Sequence, residues 1–187
     1  LYWPRGKVLG GSSSINAMVY HRGQAKDYDD WERAGNPGWG YDAVKSIYES
    51  FEDLSTGNIR QQSQYSGTTN QNRLSVYDAS AEYHSLKDDF GKAFLQAGLV
   101  KPDTPCLEGE GVGPYFINTR SGQRCSSSTA FLHPAAKRSN LEVLNNTTVT
   151  RINTAERKAT GVSCLVADSP VEIRARREVL LCAGAVN

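Results

Sequence analysis

No apolar run in the 187-residue chain approaches the roughly 18 residues that a bilayer span requires. A transmembrane segment is therefore not expected, and Leu1-Tyr2-Trp3-Pro4-Arg5 has neither the charged region nor the apolar stretch of a signal peptide. Charge of one sign is lacking too, because 21 Lys and Arg stand against 20 Asp and Glu, a formal +1. That balance offers no footprint for nucleic acid or an anionic bilayer. The cysteines Cys106, Cys125, Cys164 and Cys182 form no C-x-x-C pair and have no histidine at zinc spacing. They read as reduced thiols rather than a disulfide framework. The three histidines, His21, His84 and His133, form no metal set, and no serine lies in the G-x-S-x-G of a nucleophile elbow. Asp27, Asp29, Asp30 and Glu32 bunch together without the glycine and distal glutamate of a calcium loop, so they read as helix-capping acids.

What remains is an ordinary globular mixture, 39% hydrophobic and 22% charged, enough for one domain or two small lobes. Gly10-Gly11-Ser12-Ser13-Ser14 reads as a tight turn with a serine cap, and Ile15 to Tyr20 as a short apolar helix behind it. A helix start is predicted at Asp27 to Glu32, with a turn at Asn36-Pro37-Gly38. Val44, Ile47, Tyr48 and Phe51 recur at helical spacing from Tyr41 onward. Residues 54–73 are Ser, Gln, Asn, Thr and Gly rich and read as a long surface loop, the candidate lobe boundary. Leu74 to Tyr77 follows as a strand, and Tyr83 to Gly98 as a second, longer helix. Val112 to Thr119 reads as a strand turning at Ser121-Gly122-Gln123, and Ser126 to Leu132 as a short helix ending before Pro134. Strands are predicted at Leu141 to Leu144, Thr148 to Ile152, Ala159 to Val166 and Val171 to Ala175. The apolar run Val179-Leu180-Leu181-Cys182-Ala183 reads as a strand buried on both faces. The fold class is α/β, with mixed α+β character and no internal repeat.

The chain opens almost directly on the glycine turn and stops where this buried run reaches its own turn, so it is read as an internal piece of a longer protein. Asn145 and Asn146 both head N-x-[ST] triplets, which leaves a secreted and an intracellular compartment equally open.

Only the glycine turn carries chemistry by itself. Two glycines let backbone N–H groups approach a ligand without Cβ interference, and a following helix would aim its amides at a phosphate. A flexible connector is the alternative for the bare Gly-Gly-Ser-Ser, but an ordered apolar segment behind it favours the cofactor turn.

Gly6-Lys7-Val8-Leu9-Gly10-Gly11-Ser12-Ser13-Ser14-Ile15-Asn16, followed by Tyr20, Gly23 and Asp29, resembles the first signature of the glucose-methanol-choline (GMC) flavin oxidoreductases. The resemblance continues through Gly35-Asn36-Pro37-Gly38-Trp39, Gly122-Gln123-Arg124-Cys125-Ser126, Arg138-Ser139-Asn140-Leu141 and Glu178-Val179-Leu180-Leu181-Cys182-Ala183-Gly184-Ala185. It covers almost the whole chain, most weakly from Ser55 to Tyr83, and is nearest to choline dehydrogenases and related alcohol dehydrogenases.

The resemblance implies FAD, lined by Val8, Gly10, Gly11, Ser12, Asn16, Ala17, Met18 and Val19, with Val149 meeting the adenine through its backbone. Ile15 stands where some members carry a flavin-tethering histidine, so noncovalent FAD is expected. The resemblance assigns 1–53 to the FAD-binding Rossmann-like domain, 54–138 mainly to a substrate-binding sheet-and-helix lobe, and 139–187 to returning FAD-domain strands. The family's G-x-G-x-x-G turn and its catalytic histidine have no counterpart here. Gly109, Gly111 and Gly113 have the wrong spacing, with Pro114 where a helix would start, so no catalytic residue is assigned. His21 beside the flavin segment is read as structural, His84 and His133 as surface or capping residues, and Cys182 as a small buried core residue.

The expected activity of the whole protein is FAD-dependent oxidation of the CH–OH group of a small-molecule alcohol, with a quinone, another carrier or oxygen accepting the electrons. Two alternatives stay open. One keeps the fold and FAD but performs hydroxynitrile cleavage or fatty-acid photodecarboxylation. The other is a non-catalytic α/β module that binds no flavin.

Overall fold

The computed structural model describes residues 2–55, 72–80, 83–101 and 111–186, which form two compact units, Leu1–Arg138 and Ser139–Asn187. In the first unit a one-turn 3-10 helix at Gly11–Ser14 is followed by β1 (Val19–Tyr20), α1 (Ala25–Arg33), α2 (Tyr41–Phe51) and β2 (Glu52–Ser55). Then come β3 (Leu74–Asp78), α3 (Leu86–Gln96), β4 (Phe116–Ile117), β5 (Thr119–Arg120) and β6 (Gln123–Arg124). A π-helix at Ser128–Leu132 runs into a short α4 (His133–Ala135).

One sheet has the order β1-β4-β3-β2, with β2 parallel to β3 and the other pairs antiparallel. Ser75, Val76 and Tyr77 are buried in succession, so β3 is covered on both faces and anchors the unit. Tyr20, Phe116 and Leu74 pack against Val76. Ser75 is satisfied by polar partners: its hydroxyl donates to the Thr119 carbonyl at 2.7 Å, and Asn118 Nδ2 donates to its carbonyl at 3.0 Å. The β5–β6 hairpin is thereby held against β3.

The acids of α1 do structural work. Gln24 and Asp27 form a reciprocal capping box, with the Gln24 N–H donating to Asp27 Oδ2 at 2.9 Å. Asp29 Oδ1 accepts the N–H of Tyr41, the first residue of α2, and Glu32 Oε1 accepts that of Gly38, both at 2.9 Å. No cluster of His, Cys, Asp and Glu among the described residues could hold a metal.

The second unit is an antiparallel meander of β7 (Thr147–Ala155), β8 (Lys158–Val166) and β9 (Ser169–Arg174). Both hairpins turn on two residues with positive φ, Glu156 (48°) with Arg157 (64°) and Ala167 (46°) with Asp168 (65°). That is the pattern of a type I′ turn, which favours Asn-Gly because a Cβ is strained there. Replacing Glu156-Arg157 by Asn-Gly is expected to stabilise this unit by about 1 kcal/mol. Urea unfolding of the two proteins side by side checks it, and an unchanged or lower midpoint refutes it.

Several sequence expectations are corrected. Ile15 to Tyr20 is not a helix: the helical turn stops at Ser14, Met18 adopts φ 63°, and Val19–Tyr20 leaves as a strand that pairs with β4. The strand expected over Val112 to Thr119 is confined to β4 and β5. The second helix starts at Leu86 rather than Tyr83 and, at 11 residues, equals α2 in length. The helix near Pro134 continues to Ala135, because the proline sits in the first turn of α4, where a missing N–H is tolerated. Leu141 to Leu144 is exposed and non-strand. Val179 to Leu181 is no strand either: no described strand pairs with it, Leu180 and Leu181 are 76% and 73% exposed, and Cys182 is exposed rather than in a core. Within the expected loop, Leu54 and Ser55 belong to β2, while 56–71 lie outside the described residues, as do Cys106 and Gly109. The described cysteines, Cys125, Cys164 and Cys182, are free.

Candidate functional site

The glycine turn is built by close backbone packing. The Gly11 N–H donates to the Val8 carbonyl at 2.8 Å, and a Cβ on Gly6 would collide with the Gly11 carbonyl. Gly10 has φ 89°, and a Cβ there would lie 2.5 Å from Ser14 Oγ and 3.1 Å from Ser128 Cβ. Gly10 is therefore required by the protein's own packing. Gly11 differs: its φ is 53°, yet a Cβ there would meet nothing within 4 Å.

The helical turn behind these glycines has four residues, too few for the helix-dipole argument drawn from the sequence. Serines and one arginine hold it instead. Ser13 Oγ donates to the Gly10 carbonyl at 2.5 Å and accepts the Ser127 N–H at 2.9 Å. Ser14 Oγ donates to the Leu9 carbonyl at 2.8 Å. Arg124 Nη1 reaches both the Ser13 carbonyl, at 3.1 Å, and Asn16 Oδ1, at 2.9 Å, while Asn16 Oδ1 also accepts the Met18 N–H at 3.0 Å. This last bond fixes the bend at Met18 from which the chain enters β1.

Of the residues expected at the cofactor, Val8, Gly10, Gly11, Ser12, Asn16, Ala17, Met18 and Val19 are brought together in this one loop-and-strand segment. Val149 lies in the second unit, on β7, paired with Cys164 and exposed. In the segment that contains Gly11 the apolar side chains of Val8, Leu9, Ile15 and Val19 are 45–57% exposed. An open glycine backbone, exposed apolar side chains and an amide side chain in one segment fit a ligand with a flat ring system and phosphates. The segment holds no acid and no described metal cluster.

Sequence reasoning missed Arg124 and Ser127, which reach the turn from 108 and 114 residues away. The Gly122-Gln123-Arg124-Cys125-Ser126 motif was visible, but nothing in its spacing pointed to the turn. It also missed the buried pair of Arg22 and Glu52, in contact through both guanidinium and carboxylate forks. Burial pushes the Glu52 carboxyl up to about 7, and the adjoining guanidinium acts against that shift. The Leu86 N–H donates to His84 Nδ1 at 3.2 Å, and Ser128 Oγ and His133 Nε2 are 3.3 Å apart, local contacts near helix starts.

Comparison with known proteins gives a consistent result. An alcohol dehydrogenase [acceptor] from Pseudomonas putida is 40% identical over 196 residues, covering 100% of this chain and 33% of the relative. Mitochondrial choline dehydrogenase from Homo sapiens is 37% identical over 188 residues, covering 100% of this chain and 30% of the relative. The chain thus spans about a third of the length of these curated relatives. The crystal structure of pyridoxine 4-oxidase from Mesorbium loti superposes with a TM-score of 0.79 at 28% identity, over 98% of this chain and 35% of that one. The mixed helix-and-sheet fold is shared with that enzyme. The family described as GMC oxidoreductase matches residues 1–187, and the chain belongs to it.

Proposed function

We propose that the full-length protein is an FAD-dependent oxidoreductase that oxidises the CH–OH group of a small-molecule alcohol to an aldehyde or ketone. The observation that carries this reading is the glycine turn, open at Gly11 in a segment with exposed apolar side chains, in a chain that matches the GMC family along its whole length. Val8, Gly10, Gly11, Ser12, Asn16, Ala17, Met18 and Val19 hold the cofactor, and the Val149 backbone contacts its adenine. FAD supplies the hydride acceptor, and a quinone, another carrier or oxygen takes the electrons onward. The relatives named alcohol dehydrogenase and choline dehydrogenase support a small alcohol as donor.

In this reading 1–53 and 139–187 contribute to the FAD-binding domain and 54–138 mainly to the substrate lobe. Ile15, aliphatic and 49% exposed beside the turn, offers no atom for a flavin bond, so the cofactor is held noncovalently.

The test uses the purified full-length protein. It is expected to show flavin absorption, to release all flavin on acid precipitation, and to lose that absorption anaerobically when an alcohol substrate is added. Flavin in the pellet would establish a covalent link through another residue. A flavoprotein that oxidises no alcohol would move the reading to hydroxynitrile cleavage or photodecarboxylation.

A further inference from the structure

We propose that Arg124 is a positioning residue of the cofactor-binding turn, locking the Asn16 amide and the Ser13 carbonyl in the arrangement that receives the flavin. The proposal rests on the FAD reading given above and extends it to a residue 108 positions from Asn16.

The argument starts from Asn16. Two donors converge on one end of its amide, Arg124 Nη1 at 2.9 Å and the Met18 N–H at 3.0 Å. A group that accepts twice must be the oxygen, so Oδ1 is fixed inward and Nδ2 is the end left to donate to a ligand acceptor. Without Arg124 the remaining bond from Met18 would hold the amide by one contact on an exposed side chain. The same guanidinium nitrogen also binds the Ser13 carbonyl at 3.1 Å, at the end of the short helical turn. Arg124 thus fixes both the backbone and the side-chain orientation of the segment carrying Asn16, Ala17 and Met18. It stands at the end of β6, and the β5–β6 hairpin is itself tied to buried β3 through Ser75 and Thr119. Ser127, three residues on, adds a second tie: its N–H donates to Ser13 Oγ at 2.9 Å and its hydroxyl to the Gly10 carbonyl at 3.2 Å. A rigid element therefore braces a turn that is open at Gly11. Positioning by a braced charge is what a ligand-orienting amide requires.

The test is a double-mutant cycle in the full-length protein with Arg124→Met and Asn16→Ala, read as FAD affinity of the flavin-free protein by quenching of flavin fluorescence. Each single variant is expected to bind FAD about tenfold more weakly, the scale of one charge-assisted hydrogen bond. The double variant is expected to lose little more than either single one, and both single variants should displace the visible absorption of bound flavin alike. Arg124→Lys, which keeps the charge but not the planar fork, carries the same cycle if the methionine variant does not fold. Wild-type protein that binds no FAD overturns the flavin reading and this proposal with it. Wild-type binding together with unchanged affinity in the Arg124 variants, or strictly additive losses in the double variant, overturns this proposal alone.

Discussion

Glu52→Ala is expected to lower the stability of the protein by about 3–5 kcal/mol, the usual cost of removing one partner of a buried ion pair. Arg22 and Glu52 are 3% exposed each, and the Arg22 guanidinium lies 5.2 Å from the centroid of the Tyr48 ring. Truncating Glu52 leaves that guanidinium buried with a ring face and the Tyr20 hydroxyl, 3.4 Å from Nε, neither of which neutralises it. The pair also has a topological task. Arg22 follows β1 by two residues and Glu52 opens β2, so the contact ties the opposite edge strands of the four-stranded sheet. Urea unfolding followed by tryptophan fluorescence measures the loss, and a midpoint equal to wild type would show that the pair contributes nothing. Replacing both residues, Arg22→Met with Glu52→Leu, should recover most of the loss, because an apolar pair carries no desolvation cost.

Arg22→Met alone makes a different prediction, one of pH dependence. In wild type burial already raises the Glu52 carboxyl from 4.5 to about 7 with Arg22 beside it, so removing the guanidinium that opposes this shift moves it higher still. A folded-state pKa above the unfolded one means that the folded protein holds the proton longer. Stability of this variant relative to wild type is therefore level below about pH 7, where both folded proteins hold the proton, and declines as pH rises above it. Urea midpoints of both proteins on either side of that pH check this, and a difference that does not change with pH refutes it.

How much of this was legible in the sequence depends on whether the cause was local. The span Tyr41–Phe51 was readable because Val44, Ile47, Tyr48 and Phe51 repeat at helical spacing, and α2 forms there. Strand β8 was readable from the β-branched and apolar residues between Ala159 and Val166. The bend at Met18 was not, since it depends on an Asn16 amide held by Arg124 from a distant hairpin. Nor were the turns at Glu156-Arg157 and Ala167-Asp168, where strand pairing imposes positive φ on residues with no preference for it. Val179 to Leu181 has the composition of a buried strand, but composition does not provide a neighbouring strand, and none of the described ones takes that place. The site itself was half legible. Its glycines, apolar residues and the bracing Ser13 and Ser14 are contiguous in sequence, while Arg124 and Ser127 brace it from a distant part of the chain.

The contrast between the two glycines gives the prediction with the greatest functional effect. Gly11→Val in the full-length protein is expected to weaken FAD binding at least about 100-fold, enough to lose the cofactor during purification. The added side chain meets no protein atom within 4 Å of its Cβ, so it occupies the open space that the ligand is proposed to take. A folding cost remains, because φ 53° places a β-branched residue in the left-handed region, worth about 1–2 kcal/mol. That cost lowers the unfolding midpoint modestly and does not account for loss of flavin. Gly10→Val should behave in the opposite way: its Cβ would lie 2.5 Å from Ser14 Oγ and 3.1 Å from Ser128 Cβ, so the serine brace is displaced and folding itself suffers. Flavin content per protein and unfolding midpoint, measured on both variants, separate the two roles. A Gly11→Val protein that retains stoichiometric FAD would mean that the cofactor does not approach this backbone, and the turn would then be a structural element only.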